Sequence, residues 1–309
     1  MTSPQPGDTF VLVISTGGTI ASTTDPSGAL VPTLDAQELT RRADADEPVR
    51  VFDAARLDSS AMGLGDIDTL SSLVSRALGD ALVTGIVITH GTDSMAETAL
   101  ALDLIHSDPR PVVLTGAQLP ADHGSADGPA NLRRAIELAA DPLTRGNGVF
   151  VHFGGDTLAA RGLQKIDTAA RRAFALTAPL TLPRPAAVER APLAGIDVPI
   201  VRAWPGADAA LLDWVASRRP DGIVVEALGS GNVSDEMGAA VGRAVAAGIP
   251  VVVATSVPFG EVAFSYGGAG GGASLGAAGA LPAGYLRAGQ ARIALATAIA
   301  TGTDPRALL

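Results

Sequence analysis

The strongest constraint on how this chain can fold is a rhythm. Four short runs, Phe10–Ser15, Gly85–His90, Pro111–Thr115 and Gly148–Phe153, are rich in valine, isoleucine and phenylalanine and lack the alternation of a half-exposed strand. Such runs read as strands buried on both faces. Between them lie alanine- and leucine-rich stretches, Ile67–Leu78, Ser94–His106 and Ala130–Ala139, which read as helices. Strands alternating with helices imply βα units and a mostly parallel sheet with helices on both faces.

The rhythm stops and then resumes. Leu182–Pro199 holds four prolines, several charges and no period, so it reads as a linker. Beyond it, Ile200–Ala203, Gly222–Glu226 and Pro250–Thr255 read as strands, and Ala209–Ser217 and Asp235–Ala247 as helices. The expectation is two α/β domains: a larger N-terminal one over residues 1–181, a linker over 182–199 and a smaller C-terminal one over 200–309. A length of 309 residues suits two cores better than one. No internal repeat is visible.

Composition narrows the function. The formal net charge of -10 argues against nucleic acid as a partner and offers no basic face to an anionic membrane. With no cysteine, disulfides, thiolate metal ligands and a cysteine nucleophile are excluded. The four histidines are not spaced like metal ligands, so no catalytic zinc is expected. Met1 to Thr9 lacks the basic and apolar regions of a signal peptide, which points to a cytoplasmic protein. The uncharged stretch Val262–Leu286 is long enough to span a bilayer. It is dominated by glycine and alanine and broken by Pro282, so it reads as an ordered loop.

One bias is informative. Twenty-one of the 22 basic residues are arginine, and the single lysine is Lys165. A solvated charge tolerates either residue, whereas a group that must shed a proton cannot be arginine. Pairing with Asp167 is the ordinary reading of Lys165. A buried amine that takes a hydroxyl proton is the functional one.

In open parallel sheets ligands bind beyond the carboxyl ends of strands, and three turns there stand out. Ser15-Thr16-Gly17-Gly18-Thr19-Ile20-Ala21 follows the first strand, and its glycines allow close backbone approach beside a hydroxyl. It is either a plain tight turn or a site; the spacings of a phosphate loop are missing. Thr89-His90-Gly91-Thr92-Asp93-Ser94 follows the second strand. Ser94 and Glu97 fit a capping box there, and Asp93 suits the positive end of the helix dipole. Ser125-Ala126-Asp127-Gly128 reads as a turn alone. Gly154-Gly155-Asp156-Thr157 is similar to a kinase motif but has threonine in fourth place and no phosphate loop to support it.

Together these pieces resemble the bacterial L-asparaginase family, including its glutaminase-asparaginases. The resemblance rests on Ser15–Ala21, on residues 85–95, on Gly116-Ala117-Gln118, on Ser125–Pro129 with Asn131-Leu132, on Arg161 with Lys165, and on Gly229-Ser230-Gly231-Asn232. It implies hydrolysis of the L-asparagine side-chain amide through a threonine acyl-enzyme, with Thr19, Thr92, Asp93 and Lys165 as catalytic residues. It further implies substrate contacts at Gly18, Ser59, Ser60, Gly91 and Ala117. Ser59, Ser60 and Asp93 would hold the α-carboxylate and α-ammonium groups, and N–H groups near Thr92 the oxyanion. Broad glutaminase-asparaginase activity, an amide-transfer subunit and a non-catalytic asparagine or aspartate sensor remain as alternatives. The family also implies a homodimer or homotetramer with sites at subunit interfaces. The chain departs from the family pattern in three places. Ser22–Thr33 carries no tyrosine, Ser60 stands where the family has glutamine, and Tyr266–Gly270 occupies the region of a glutamate donated by a neighbour. Tyr266 is accordingly expected to supply the missing phenol.

Overall fold

A computed structural model describes residues 9–309, so the N-terminal stretch read for a signal peptide lies, up to residue 8, outside the described residues. Two compact units emerge. One gathers the described residues up to Ala160 together with Lys165–Ala175; the other gathers Arg161–Gln164 and Leu176–Leu309.

The first unit contains β1 (Phe10–Gly17), β2 (Ser22–Thr24), β3 (Leu30–Pro32), α1 (Ala36–Ala43), β4 (Val49–Leu57), α2 (Leu64–Ala77) and β5 (Val83–Thr89). It continues with α3 (Met95–Ile105), β6 (Val112–Thr115), α4 (Gly128–Ala140), β7 (Val149–Phe153) and β8 (Asp156–Ala159). Six strands form one sheet in the order β4-β1-β5-β6-β7-β8, parallel except for the final β7–β8 hairpin. The uninterrupted apolar runs have their expected cause. Val11, Val13, Val87, Val113 and Phe150 pack against α1 and α4. The alternate residues Ile14, Ile86, Ile88 and Leu114 are equally buried. Both faces are covered, as a parallel sheet requires.

Several elements were not assigned from sequence. β4 is an edge strand with a charged, mostly exposed pattern, VRVFDAARL. Helix α1 is short and is set by its ends: Asp35 accepts the Glu38 N–H at the start, and Asp44 closes it in the left-handed region at φ 50°. β2 and β3 make an antiparallel hairpin within Ser22–Thr33. That hairpin is tied down by Asp122, which accepts the Thr24 N–H at 2.9 Å. Gly154-Gly155 is the two-residue turn between β7 and β8, and Asp156 beside it pairs with Arg172. The kinase-like reading of those residues has no support.

β9 (Leu163–Lys165) and β10 (Phe174–Leu176) pair in a small sheet of their own. The second unit then holds β11 (Ile200–Arg202), α5 (Ala210–Ser217), β12 (Ile223–Ala227), α6 (Asp235–Ala246), β13 (Val251–Thr255), α7 (Gly272–Ala277), β14 (Leu281–Pro282) and α8 (Ala288–Thr301). Its four strands are parallel, in the order β11-β12-β13-β14. Val201, Val225 and Val253 pack with Leu212, Met237 and Val241 in one core. Val262–Leu286 contains α7 and β14 as well as loops, and among the described residues no helix is long and apolar enough to cross a membrane.

Packing density makes one position in the sheet testable. A Cβ built on Gly85 in β5 would collide with the carbonyl oxygen of Ala139 in α4. Gly85→Ala is expected to lower stability by about 1–3 kcal/mol, the usual cost of overpacking a dense core. Urea or thermal unfolding would measure it, and an unchanged midpoint would contradict this packing.

Candidate active site

Three neighbouring strands, β4, β1 and β5, end in one place. β1 lies between the other two, so the chain leaves it toward one edge of the sheet and returns on the other side. The strand order reverses there, and a crevice opens beyond the carboxyl ends. The register sets Ser15 of β1 beside Thr89 of β5, and Gly17 beside Leu57 of β4. Residues 18–19, 58–59 and 90–93 therefore leave adjacent strands together.

The turn after β1 depends on having no side chain at Gly18. Its φ of 83° lies in the left-handed region, and a Cβ there would sit 2.6 Å from the Gly91 nitrogen. The backbones of two turns thus touch, which brings Thr19 and Thr92 to one cavity. The turn after β5 is braced from below. The His90 N–H donates to the Thr115 carbonyl at 2.8 Å. The His90 ring is fully buried, and burial holds its pKa below the ordinary imidazole value. The neutral ring lies with Nδ1 2.7 Å from the Gly91 oxygen. A carbonyl only accepts, so Nδ1 carries the proton.

The turn after β4 supplies Ser59. Its Oγ accepts the Asp93 N–H at 3.2 Å, and its carbonyl accepts the Ser94 hydroxyl at 2.7 Å. The Ser94 side chain makes no capping bond to α3, so the capping box expected from Ser94 and Glu97 does not form. A tertiary acceptor has displaced the local one.

Lys165 resolves the choice left open by the sequence. Its Nζ donates to Thr92 Oγ1 at 2.8 Å and to Asp93 Oδ1 at 2.9 Å. Its side chain is 23% exposed. Asp167 is occupied elsewhere: its carboxylate accepts the Ala169 and Ala170 N–H groups, which hold its pKa below the usual range. Among the described residues the Thr92 N–H has no protein partner.

These groups line a cavity of about 340 Å³. Gly18, Thr19, Ser59, Gly91, Thr92, Asp93 and Lys165, all singled out from sequence, border it. Ser22, Leu30, Pro32, Leu57, Asp58, Gln118 and Thr168 complete the wall. Two expected contacts are not brought there. Ser60 is exposed and gives its N–H to Asp58, while Ala117 is buried in the core shared with Ile20 and Leu132. Tyr266 belongs to the second unit, in the loop before α7, and is 62% exposed. Asp127, read as part of a plain turn, has a clear task. Its carboxylate accepts the Gln118 and Leu119 N–H groups and the Asn131 side-chain amide, and so shapes the turn that carries Gln118. The sequence pointed to Gln118 through its place just past a strand end and through the Gly116-Ala117-Gln118 stretch that carries the resemblance, without giving it a role.

The family described as Asparaginase, N-terminal, matches residues 10–184, and that described as Glutaminase/Asparaginase C-terminal domain matches 197–308. The chain is 34% identical to a probable L-asparaginase of Deinococcus radiodurans, over 94% of this chain and 93% of that one. It is 33% identical to a glutamyl-tRNA(Gln) amidotransferase chain of Aeropyrum pernix, over 91% of this chain and 72% of that one. Among solved structures it is similar to a probable cytoplasmic L-asparaginase of Campylobacter jejuni, with TM-score 0.83 and 26% identity, covering 97% and 98% of the two chains.

A Cβ added to Gly91 would fall on the Ser59 hydroxyl. Gly91→Ala should therefore push apart the turns that carry Ser59 and Thr92. Displacements of this size near reacting groups cost roughly 10²-fold, so kcat/KM should fall on that scale while the circular dichroism spectrum stays that of the parent. Near-parental kcat/KM would show that the Ser59–Gly91 contact is not needed.

Proposed function

The chain belongs to the asparaginase family, and on that footing we propose that it hydrolyses the side-chain amide of L-asparagine to L-aspartate and ammonia through a threonyl ester on Thr19. The observation that carries this reading is the Lys165 amine held between the Thr92 hydroxyl and the Asp93 carboxylate, in the same cavity as Thr19. The Thr19 hydroxyl attacks the amide carbon, its proton goes to the departing nitrogen, and water then hydrolyses the ester. Lys165 and Thr92 move protons during these steps, and Asp93 keeps the amine oriented. The free Thr92 N–H is suited to receive the oxyanion. Ser59 and Asp93 hold the charged groups on the substrate's α-carbon. No step calls for a cofactor.

A second assignment of the nucleophile has its own support, because the hydroxyl that Lys165 touches is that of Thr92. Trapping the ester at low pH and sequencing the labelled peptide decides between Thr19 and Thr92. Amide transfer to a partner is the reading favoured by the likeness to the longer Aeropyrum protein. Free ammonia from this chain alone argues for hydrolysis. The deciding experiment is a coupled ammonia assay with asparagine and glutamine side by side, in which asparagine is expected to be the better substrate. An additional methylene shifts the carbonyl away from near-contact geometry. No ammonia from either amide would overturn the proposal. The proposed location is the cytoplasm, supported by the name of the Campylobacter protein.

Thr19→Ala and Lys165→Met are expected to cut kcat by at least about 10²-fold, the scale of losing a positioned nucleophile or acid-base group. Lys165→Arg should be nearly as damaging, since a guanidinium keeps the charge and cannot accept the proton. An arginine variant with most of the parental rate would make Lys165 an electrostatic post only.

The proposed assembly is a homodimer or homotetramer in which Tyr266 of one copy serves a neighbour's site. Its exposure and the glycines that follow it support this reading. Tyr266→Phe keeps the ring and removes the hydroxyl. Turnover should drop in that variant, and parental turnover would reduce Tyr266 to packing.

A further inference from the structure

The chain has no cysteine, so its thioethers are the sulfur atoms open to two-electron oxidation. Of the four methionines, Met1 lies outside the described residues, and Met95 and Met237 are fully buried. Met62 is only partly buried. It borders a cleft of about 50 Å³ walled by Ala54, Leu57, Leu70 and Leu73, from β4 and α2. A water molecule needs roughly 10–15 Å³ of such space, so a small oxidant fits beside Met62. Leu57 also lines the larger cavity, so the cleft and the candidate site share a wall.

One hydroxyl couples this sulfur to the site. Ser94 Oγ lies 2.7 Å from the Ser59 carbonyl oxygen and 3.9 Å from Met62 Sδ. The hydroxyl has a single proton to donate. A thioether is a weak acceptor, so that proton goes to the carbonyl. A sulfoxide is polar and carries its oxygen outward from the sulfur, within reach of Ser94. We propose that Met62 is an oxidation site and that its sulfoxide draws the Ser94 hydroxyl away from Ser59. The oxidant is a peroxide. The sulfur lone pair takes one peroxide oxygen, the O–O bond breaks, sulfur gives up two electrons, and the second oxygen leaves with both protons as water. The Ser59 carbonyl then keeps only the long bond from the Met62 N–H, at 3.4 Å. Ser59 borders the cavity, and its Oγ accepts the Asp93 N–H, so a loosened Ser59 disturbs the cavity wall. The effect on turnover rests on the reading above, in which Ser59 holds the charged end of asparagine. The chemistry at sulfur does not.

The test treats the enzyme with hydrogen peroxide, maps its methionine peptides by mass spectrometry, and measures kcat and KM for asparagine on the same samples. Sulfoxide is expected at Met62 well before Met95 or Met237. With Met62 converted, KM should rise about 10-fold, the order of one lost hydrogen bond. The change in kcat should be smaller, because grip on a non-reacting end acts on ground and transition states alike. Methionine sulfoxide reductases, one for each epimer, should return KM to its starting value. Met62→Leu conserves volume and should keep the parental KM through the treatment. Ser94→Ala should start with the raised KM and gain no further rise from peroxide. Oxidation of Met62 no faster than of the buried methionines overturns the inference. So does conversion that leaves KM unchanged, a loss that persists in Met62→Leu, or a further rise in Ser94→Ala. An enzyme inactive on asparagine before treatment overturns the functional reading instead, and the peptide masses still decide whether Met62 is the oxidation site.

Discussion

The arrangement of the candidate site depends on one contact between two backbones. Gly18 lies against Gly91, closer than any side chain would permit. The strands below set the approximate separation of these turns, because β1 and β5 are hydrogen-bonded neighbours. The glycines remove the remaining distance. Hydroxyls carried by two loops from different strands then border one cavity. A threonine one residue beyond each glycine is the shortest way to place an alcohol beside such a contact. Everything else at the site refines this arrangement: Ser59 ties the third turn to Asp93, and the amine of Lys165 closes on Thr92.

Polarity around the site is graded. Directly beneath the Gly91 turn lies the His90 ring, kept neutral by burial, with Nε2 unpartnered. It contributes a fixed dipole under the turn and no charge. Above it stand the ammonium of Lys165 and the carboxylate of Asp93, more than half exposed on its side chain. The charged pair is therefore at the water-facing level, where desolvation is least expensive, and the neutral donors and acceptors are deeper. A substrate with charge on one end and a neutral amide on the other fits that gradient in one direction.

What could be read from the sequence, and what could not, has a physical division. β1, β5, β6 and β7 were legible because strands buried on both faces must be apolar throughout. β4 was not, because an edge strand with Val51 and Phe52 exposed owes its conformation to the neighbour it pairs with. The hairpin of β2 and β3 was hidden for a similar reason: its anchor, Asp122, lies far away in sequence. At the site, the glycine–threonine turns were visible through their residue types, and Lys165 through its rarity. Asp127 and Gln118 stood in stretches that carry the resemblance, but the task of Asp127 was not legible, because a carboxylate that organises a turn by accepting N–H groups looks like any other turn aspartate. Ser94 shows the opposite failure. Its local pattern fitted a cap, and a carbonyl brought in by another strand, that of Ser59, took the hydroxyl instead.

The scarcity of lysine reaches beyond catalysis. A chain with one lysine offers acylating and alkylating reagents a single side-chain amine, and here that amine lies between a threonine and an aspartate in the wall of the cavity. Coupling to a resin or a polymer through ε-amines, which for most proteins decorates the surface at random, would for this one be directed at that cavity. Arginines are the surface handles that leave it untouched, since none lines the cavity, whereas carboxylate chemistry would also reach Asp93. The same bias makes the chain its own reporter: any amine-specific label that attaches to a side chain marks how open the cavity is at that moment.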